Sequence, residues 1–133
     1  MAFTYFLDNK LLDHIFGGVN YSVPTTLYFG LSTSTPTVEG TNVTEPVGNN
    51  YSRVAITNDT TNFSLASNGI KYNNISITYP TSTGAWGTVT HFVIYDALTG
   101  GNFLGFSPLN NPQTIETDNT LSFASNAIDF KIL

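Results

Sequence analysis

The segment of residues 87–97, GTVTHFVIYDA, constrains the fold most, because it contains a run, Phe92 to Tyr95, that is apolar at every position. Successive side chains of a strand point to opposite faces of a sheet. The run from Phe92 to Tyr95 must therefore be covered on both faces, which predicts a central strand. The chain continues through the turn residues DALTGGN into a second apolar run, NFLGFSPL at residues 102–109. We therefore expect residues 91–106 to form a strand, a tight turn and a second strand.

Three residues of this turn, an aspartate and two glycines, are of types that also occur in reactive sites. Asp96 is suited to accept hydrogen bonds from nearby backbone N–H groups, and Gly100 and Gly101 adopt positive φ at no steric cost. The glycine pair lacks the spacing of a phosphate-binding loop, and no helical pattern follows it. We predict that Asp96, Gly100 and Gly101 are turn scaffold and bind no ligand.

The chain after residue 18 has the pattern of β-structure throughout. Further alternating segments are TLYFGLST at 26–33, YSRVAIT at 51–57, NNISITYP at 73–80, TLSFAS at 120–125 and AIDFKIL at 127–133. Residues 34–50 form a long polar loop between the first two. About seven short strands separated by turn residues predict a mostly β chain, with residues 1–133 as a single antiparallel β-sandwich-like domain.

One short N-terminal α-helix is predicted over residues 4–16. Leu7, Leu11 and Ile15 recur every four residues, and Leu12 and Phe16 widen this apolar stripe. The two glycines at 17 and 18 end the helix, because glycine readily adopts the left-handed conformation found just past a helix end.

The composition argues against several classes of protein. Charged residues make up 10% of the chain, against about a quarter in typical proteins, so Asn, Ser and Thr must supply the polar surface. Such a surface suits a protein that is largely covered by partners. The four basic residues are scattered, which argues against binding to nucleic acid. The chain has no cysteine and no apolar run of about 18 residues, so neither disulfides nor a membrane span are predicted.

No pattern of catalytic or metal-binding residues is visible. The chain has two histidines, His14 and His91, too few for a three-histidine zinc site. It lacks the G-x-S-x-G motif of a nucleophilic serine and the spaced acids of a calcium loop. We predict no enzyme, no catalytic residue, no metal and no cofactor, with His91 in the core or at an interface. A hydrolase that depends on His91 is the hypothesis opposed to this one.

Two aromatic residues are candidates for stacking on a sugar ring. Trp86 lies between glycines at the start of the strongest strand, and Tyr72 lies beside Asn-rich turns. A tryptophan that closes one end of a sandwich core is the alternative for Trp86. Exposure of the indole would distinguish the two.

The C-terminal strand is apolar up to the last residue. Ile128, Phe130 and Ile132 share one face, and Leu133 follows. A free edge of this kind invites pairing with other chains. The four residues therefore belong either to an inner strand or to a subunit interface.

Several motifs occur in a familiar order: LYFGL at 27–31, YSR at 51–53, WGTVTH at 86–91 and DALTGGN at 96–102, between an N-terminal helix and an alternating terminal strand. This order resembles a family of small virion proteins of tailed bacteriophages, described as tail-fibre-like or minor structural proteins. The resemblance covers most of the chain. It implies a location in the virion, assembly in the host cytoplasm and no catalytic residues to transfer.

Two functional hypotheses follow. The first is a structural subunit of the virion that forms a homo-oligomer, with a trimer as the expected state, and contacts other phage virion proteins. It would lie on the capsid, as a decoration or cement protein, or in the tail, as a fibre, baseplate or neck-associated component. The alternative is a carbohydrate-binding module of a phage tail that recognises the host surface through Trp86 and Tyr72.

Overall fold

The computed structural model describes residues 1–132 and consists mostly of strands. The elements, in chain order, are β1 (Ala2–Phe3), α1 (Tyr5–Ile15), β2 (Thr26–Ser32), β3 (Val54–Thr57), β4 (Ile70–Tyr72), β5 (Ile77–Thr78), β6 (Gly87–Tyr95), β7 (Phe103–Ile115), β8 (Ser122–Phe123) and β9 (Asp129–Lys131). The predicted class, mostly antiparallel β with one short N-terminal helix, is confirmed.

The main layer is a five-stranded antiparallel sheet with the order β1-β7-β6-β2-β3. β6 is its central strand, and Phe92 lies opposite Leu31 on β2 and Ser107 on β7. Phe92 and Ile94 face one apolar cluster, whereas Val93 faces another on the opposite side of the sheet. The run of apolar residues in β6 is uninterrupted because both faces of this central strand are covered, as the sequence predicted.

Two small ribbons cover one face of this sheet. β4 pairs with β9, and β5 pairs with β8, both antiparallel. From these ribbons Phe130 meets the Phe29 ring edge-on at a centroid distance of 6.4 Å, and Phe123 meets Phe92 at 5.7 Å. The arrangement is sandwich-like, and this aromatic layer is its main core.

The loop between β2 and β3 covers the other face. Its Val38 and Val43 pack against the cluster of Val93, Phe103 and Phe106. Hydrogen bonds within the loop hold it in shape, including those from the Thr33 N–H to the Thr44 carbonyl and from the Thr37 N–H to the Thr41 carbonyl. The polar loop predicted from the sequence is therefore ordered, and it covers the second face of the sheet.

Helix α1 begins at Thr4, whose hydroxyl accepts a hydrogen bond from the Leu7 N–H and donates to the Phe103 carbonyl. None of the eleven residues of α1 is fully buried. Phe6 and Leu7 pack partly against the core, whereas Ile15 is on the surface. The apolar stripe predicted for this helix is therefore only partly covered within the chain. In residues 1–132, no helix has the length and hydropathy needed to cross a membrane.

Candidate functional site

The turn between β6 and β7 is fixed by Asp96. Its Oδ1 accepts a hydrogen bond from the Asn102 N–H at 2.6 Å, and its Oδ2 accepts from Asn102 Nδ2 at 2.8 Å. Gly101 has a φ of +79°, and a Cβ there would lie 2.6 Å from the Ala97 Cβ. Both carboxylate oxygens of Asp96 therefore serve the turn.

A largely buried ion pair joins this turn to the long loop. Arg53 donates from Nε and one terminal nitrogen to the two carboxylate oxygens of Glu45, at 3.0 and 2.8 Å. Its other terminal nitrogen donates to the carbonyls of Ala97 and Gly100, at 2.7 and 2.9 Å. Burial lowers the pKa of Arg53, but the hydrogen bonds and charge of Glu45 outweigh it and raise the pKa overall. The guanidinium is therefore a permanent cation that crosslinks three chain segments.

Tyr51 completes this group, which we call the Arg53 latch: Glu45, Tyr51 and Arg53. The Tyr51 hydroxyl donates to Glu45 Oε1 at 2.7 Å and accepts from the Leu31 N–H at 2.8 Å. Burial, and then the nearby charge of Glu45, raise the pKa of Tyr51. The hydroxyl therefore stays protonated and keeps its role as donor.

The sequence motifs converge on this latch. Gly30, from LYFGL, faces it, and a Cβ at this position would lie 2.5 Å from Glu45 Oε1. YSR supplies Tyr51 and Arg53, and DALTGGN supplies the carbonyls that Arg53 contacts. Sequence reasoning missed Glu45 and Arg53 as a pair. The available signal was that Arg53 is the only arginine in a chain with four basic residues.

Trp86 packs against the latch and does not present its indole to solvent. It is 5% exposed, its Nε1 donates to the Asn49 carbonyl at 2.9 Å, and its ring meets Tyr51 edge-on at 5.3 Å. In this conformation the ring has no free face on which a sugar can stack. Tyr72, on the β4–β9 ribbon, is 39% exposed and does have an accessible ring.

The two histidines lie apart and serve different contacts. His91 is buried beside Phe106, and its Nδ1 lies 2.8 Å from the Thr90 hydroxyl. Burial lowers its pKa. His14 accepts a hydrogen bond from the Tyr21 N–H. Within the described part of the chain, no group of three or more His, Cys, Asp or Glu side chains is arranged to hold a metal ion.

The C-terminal candidates divide between core and surface. Ile128 is buried, and Phe130 packs against Phe29 and Phe63. Ile128 is enclosed in the core of its own chain, whereas Phe130 is only partly buried and also lines a surface depression beside α1. Ile132 is 74% exposed. Leu133 lies outside the described residues.

Two surface depressions flank α1. The first, the polar cleft, has a volume of about 590 Å³, and its lining includes Phe6, Lys10, Tyr21, Tyr28 and Asp96. The second, the apolar groove, has a volume of about 520 Å³ and lies between α1 and the β4–β9 ribbon. Its apolar lining includes Leu7, Leu11, Leu104, Phe130 and Ile132.

Next to these depressions, residues 12–19 form a third surface feature, the N-terminal apolar segment. Its large apolar residues are all more than half exposed: Leu12, Ile15, Phe16 and Val19. Apolar side chains grouped in this way on a surface mark sites of contact with other molecules.

Comparison with known proteins gives one family. The family model described as "Podophage GP4 fiber I protein gp80" matches residues 2–131, nearly the whole chain. No curated protein matches the chain.

Proposed function

We propose that this chain, which belongs to the podophage GP4 fiber I protein gp80 family, is a non-enzymatic subunit of a phage tail fibre that assembles with copies of itself. The family is a component of the tailed-phage virion, of tail-fibre type. The word fiber in its description supports the tail over the capsid decoration or cement role. We treat residues 1–133 as a single structural domain of this subunit.

The observation that carries the proposed self-assembly is the exposure of the N-terminal apolar segment. Phe16 is 77% exposed, although it continues the apolar stripe of α1. A helix as short as α1 has marginal stability in water unless an apolar face is packed against something. Most soluble oligomers consist of identical chains related by closed symmetry. A homo-oligomer would cover this segment, and a trimer remains the expected state.

The structural role is also supported by the way the polar groups are used. Both carboxylate oxygens of Glu45 accept hydrogen bonds inside the fold, and the same is true of Asp96. Carboxylates whose oxygens are both hydrogen-bonded within the fold hold chain segments together and are not free to transfer protons. These two acids thus contribute to rigidity, which a fibre subunit needs.

Analytical ultracentrifugation of the purified chain tests self-assembly. We expect a species with three times the chain mass of 14.4 kDa, in equilibrium with smaller species at low concentration. A single species with the mass of one chain, up to the highest soluble concentration, would refute it. Gold-labelled antibodies on purified virions test the location, and label on the capsid shell instead of the tail would refute the fibre assignment.

A second candidate function, recognition of a host-surface carbohydrate, is favoured by the polar cleft. Sugar sites combine aromatic faces with a few fixed hydrogen-bonding groups. Tyr21 and Tyr28 supply such faces, and Lys10 and Asn20 supply polar groups in the same cleft. The expected binding residues therefore shift from Trp86, whose ring is buried, to the cleft.

Binding to purified host polysaccharide distinguishes this candidate. Tyr28→Ala should abolish binding if the cleft is the site. Tyr72→Ala, on the β4–β9 ribbon, is the matched control and should leave binding unchanged. The reverse result would assign the site to Tyr72, and no binding by the wild-type protein would reject carbohydrate recognition.

A further inference from the structure

We propose that the apolar groove receives the N-terminal apolar segment of a neighbouring copy of the same chain. This inference rests on the proposed self-assembly and assigns the two surfaces that carry it. One copy contributes a helix end, and the next contributes a groove. The contact is therefore between different surfaces of two identical chains.

The groove is shaped to hold an apolar segment. Leu104, on the sheet, contributes to its floor, Leu7 lies on the α1 side and Phe130 on the ribbon side. Its volume of about 520 Å³ falls in the range of roughly 300–1,000 Å³ that is typical of ligand pockets. It is thus large enough for several side chains, and leaving it filled with water is unfavourable for an apolar surface.

The N-terminal apolar segment has the spacing of a helix that docks in a groove. Leu12, Ile15 and Phe16 lie at positions i, i+3 and i+4, so they form one surface on the last turn of α1. Helices that bind in apolar grooves use anchors at these positions. The same helix contributes Leu7 and Leu11 to its own groove. It therefore packs on its own chain through its first two turns and leaves its last turn for a neighbour.

The charges around the two surfaces are complementary. Lys71 and Lys131, two of the four basic residues in the chain, line the groove. Neither forms a salt bridge within residues 1–132. On α1, Asp8 lies one turn before Leu12, and Asp13 follows it directly. In a protein with a net charge of −5, this pair of lysines is a local positive site that favours the two aspartates of α1, whose one lysine, Lys10, lines the polar cleft.

The proposed contact also explains why the assembly would stop at a fixed number of subunits. A contact between two different surfaces repeats from copy to copy, and it closes into a ring when the rotation per copy permits. In a closed ring every groove and every helix end is occupied. The assembly would then have a fixed number of subunits, which is consistent with the proposed trimer.

Sedimentation of surface variants tests the proposal. Ile15→Ser with Phe16→Ser should raise the dissociation constant of the oligomer by about 30-fold or more, since such buried anchors dominate interface energies. Val47→Ser with Leu98→Ser is the matched control, because both residues are exposed and neither lines the groove. The control should stay within about twofold of wild type. Circular dichroism checks that the fold is intact.

Charge reversal tests the groove itself. Lys71→Glu with Lys131→Glu should raise the dissociation constant by about tenfold at low salt, and so should Asp8→Lys with Asp13→Lys. Combining all four changes should restore assembly. A combined variant that is no better than either pair would overturn the groove as the receiving surface.

Crosslinking gives an independent measurement, because the chain has no cysteine of its own. Phe16→Cys on one chain and Ala66→Cys, at the groove, on another should form a disulfide-linked dimer when the two are mixed and oxidised. Neither variant alone should do so. An oligomeric wild type whose serine variant still assembles, and whose cysteine pair does not crosslink, would overturn this inference and leave self-assembly standing. A monomeric wild type would overturn both.

Discussion

The guanidinium carbon of Arg53 lies 3.6 Å from the centre of the Tyr95 ring. This stacking places the guanidinium at the end of β6, where it reaches both Glu45 and the turn that begins at Asp96. A planar guanidinium can stack and donate several hydrogen bonds at once, which an ammonium group cannot. The long loop and the β6–β7 hairpin are therefore joined through a single side chain.

Replacing Arg53 should destabilise the fold severely. Arg53→Met leaves the carboxylate of Glu45 without its cation and two turn carbonyls without their donor, and removing one partner of a buried pair costs about 3–5 kcal/mol. Urea unfolding, followed by the fluorescence of Trp86 beside the latch, measures the loss. Lys10→Met, on the surface of α1, is the control and should change the free energy of unfolding by less than about 0.5 kcal/mol. Equal losses in the two variants would contradict the role of the latch.

Gly30 should tolerate no side chain while Glu45 is present. The Cβ of Gly30→Ala would lie 2.5 Å from Glu45 Oε1, and overpacking of this kind costs about 1–3 kcal/mol. A double-mutant cycle with Glu45→Ala separates this clash from other effects of the alanine. We expect Glu45→Ala to remove the part of this cost that comes from Oε1, whereas the contacts of the new Cβ with the Tyr51 hydroxyl and Val93 Cγ2, at 2.9 and 3.0 Å, remain. Additive losses would show that the glycine is needed for another reason.

Asn73 should be essential for attaching the C-terminal strand. Its buried amide donates to the carbonyls of Ile75 and Ala124 and accepts from the Ile128 N–H. Asn73→Ala leaves these buried backbone groups unpaired, which we expect to cost about 3 kcal/mol. Asn74→Ala, at the next and exposed position, should cost less than about 1 kcal/mol. Hydrogen exchange should locate the loss at Ile128, and protection that is unchanged there would contradict this account.

The sequence predicted the elements that depend on local pattern. The double-sided apolar run of β6 indicated a central strand, and Asp96 with its glycines indicated the turn. Both follow from alternation and turn chemistry, which involve residues close together in the chain.

Contacts between residues that are far apart in the chain could not be predicted from local sequence patterns. Glu45 lies in a polar loop where nothing distinguishes it from other acids, and its pairing with Arg53 depends on how the loop folds over the sheet. The exposure of Ile15 could not be predicted either, although the apolar pattern of its helix was clear. An apolar stripe on a helix has the same pattern whether it packs on its own core or on a second chain. Trp86 was ambiguous in the same way, because only the fold decides whether its indole is covered.

His91 should make the fold less stable in mild acid. Burial lowers its pKa in the folded chain below the ordinary value of 6.5. The unfolded chain then binds more protons than the folded one in the range just below pH 6.5, so the free energy of unfolding falls as the pH falls through this range. Above pH 6.5 the contribution of the neutral imidazole is fully present. His91→Gln removes the titration and should flatten the profile between pH 7.5 and 5.5, by comparison with wild type in the same buffers. Parallel profiles would mean that His91 titrates equally in both states, and that its place beside Phe106 does not disfavour the charged ring.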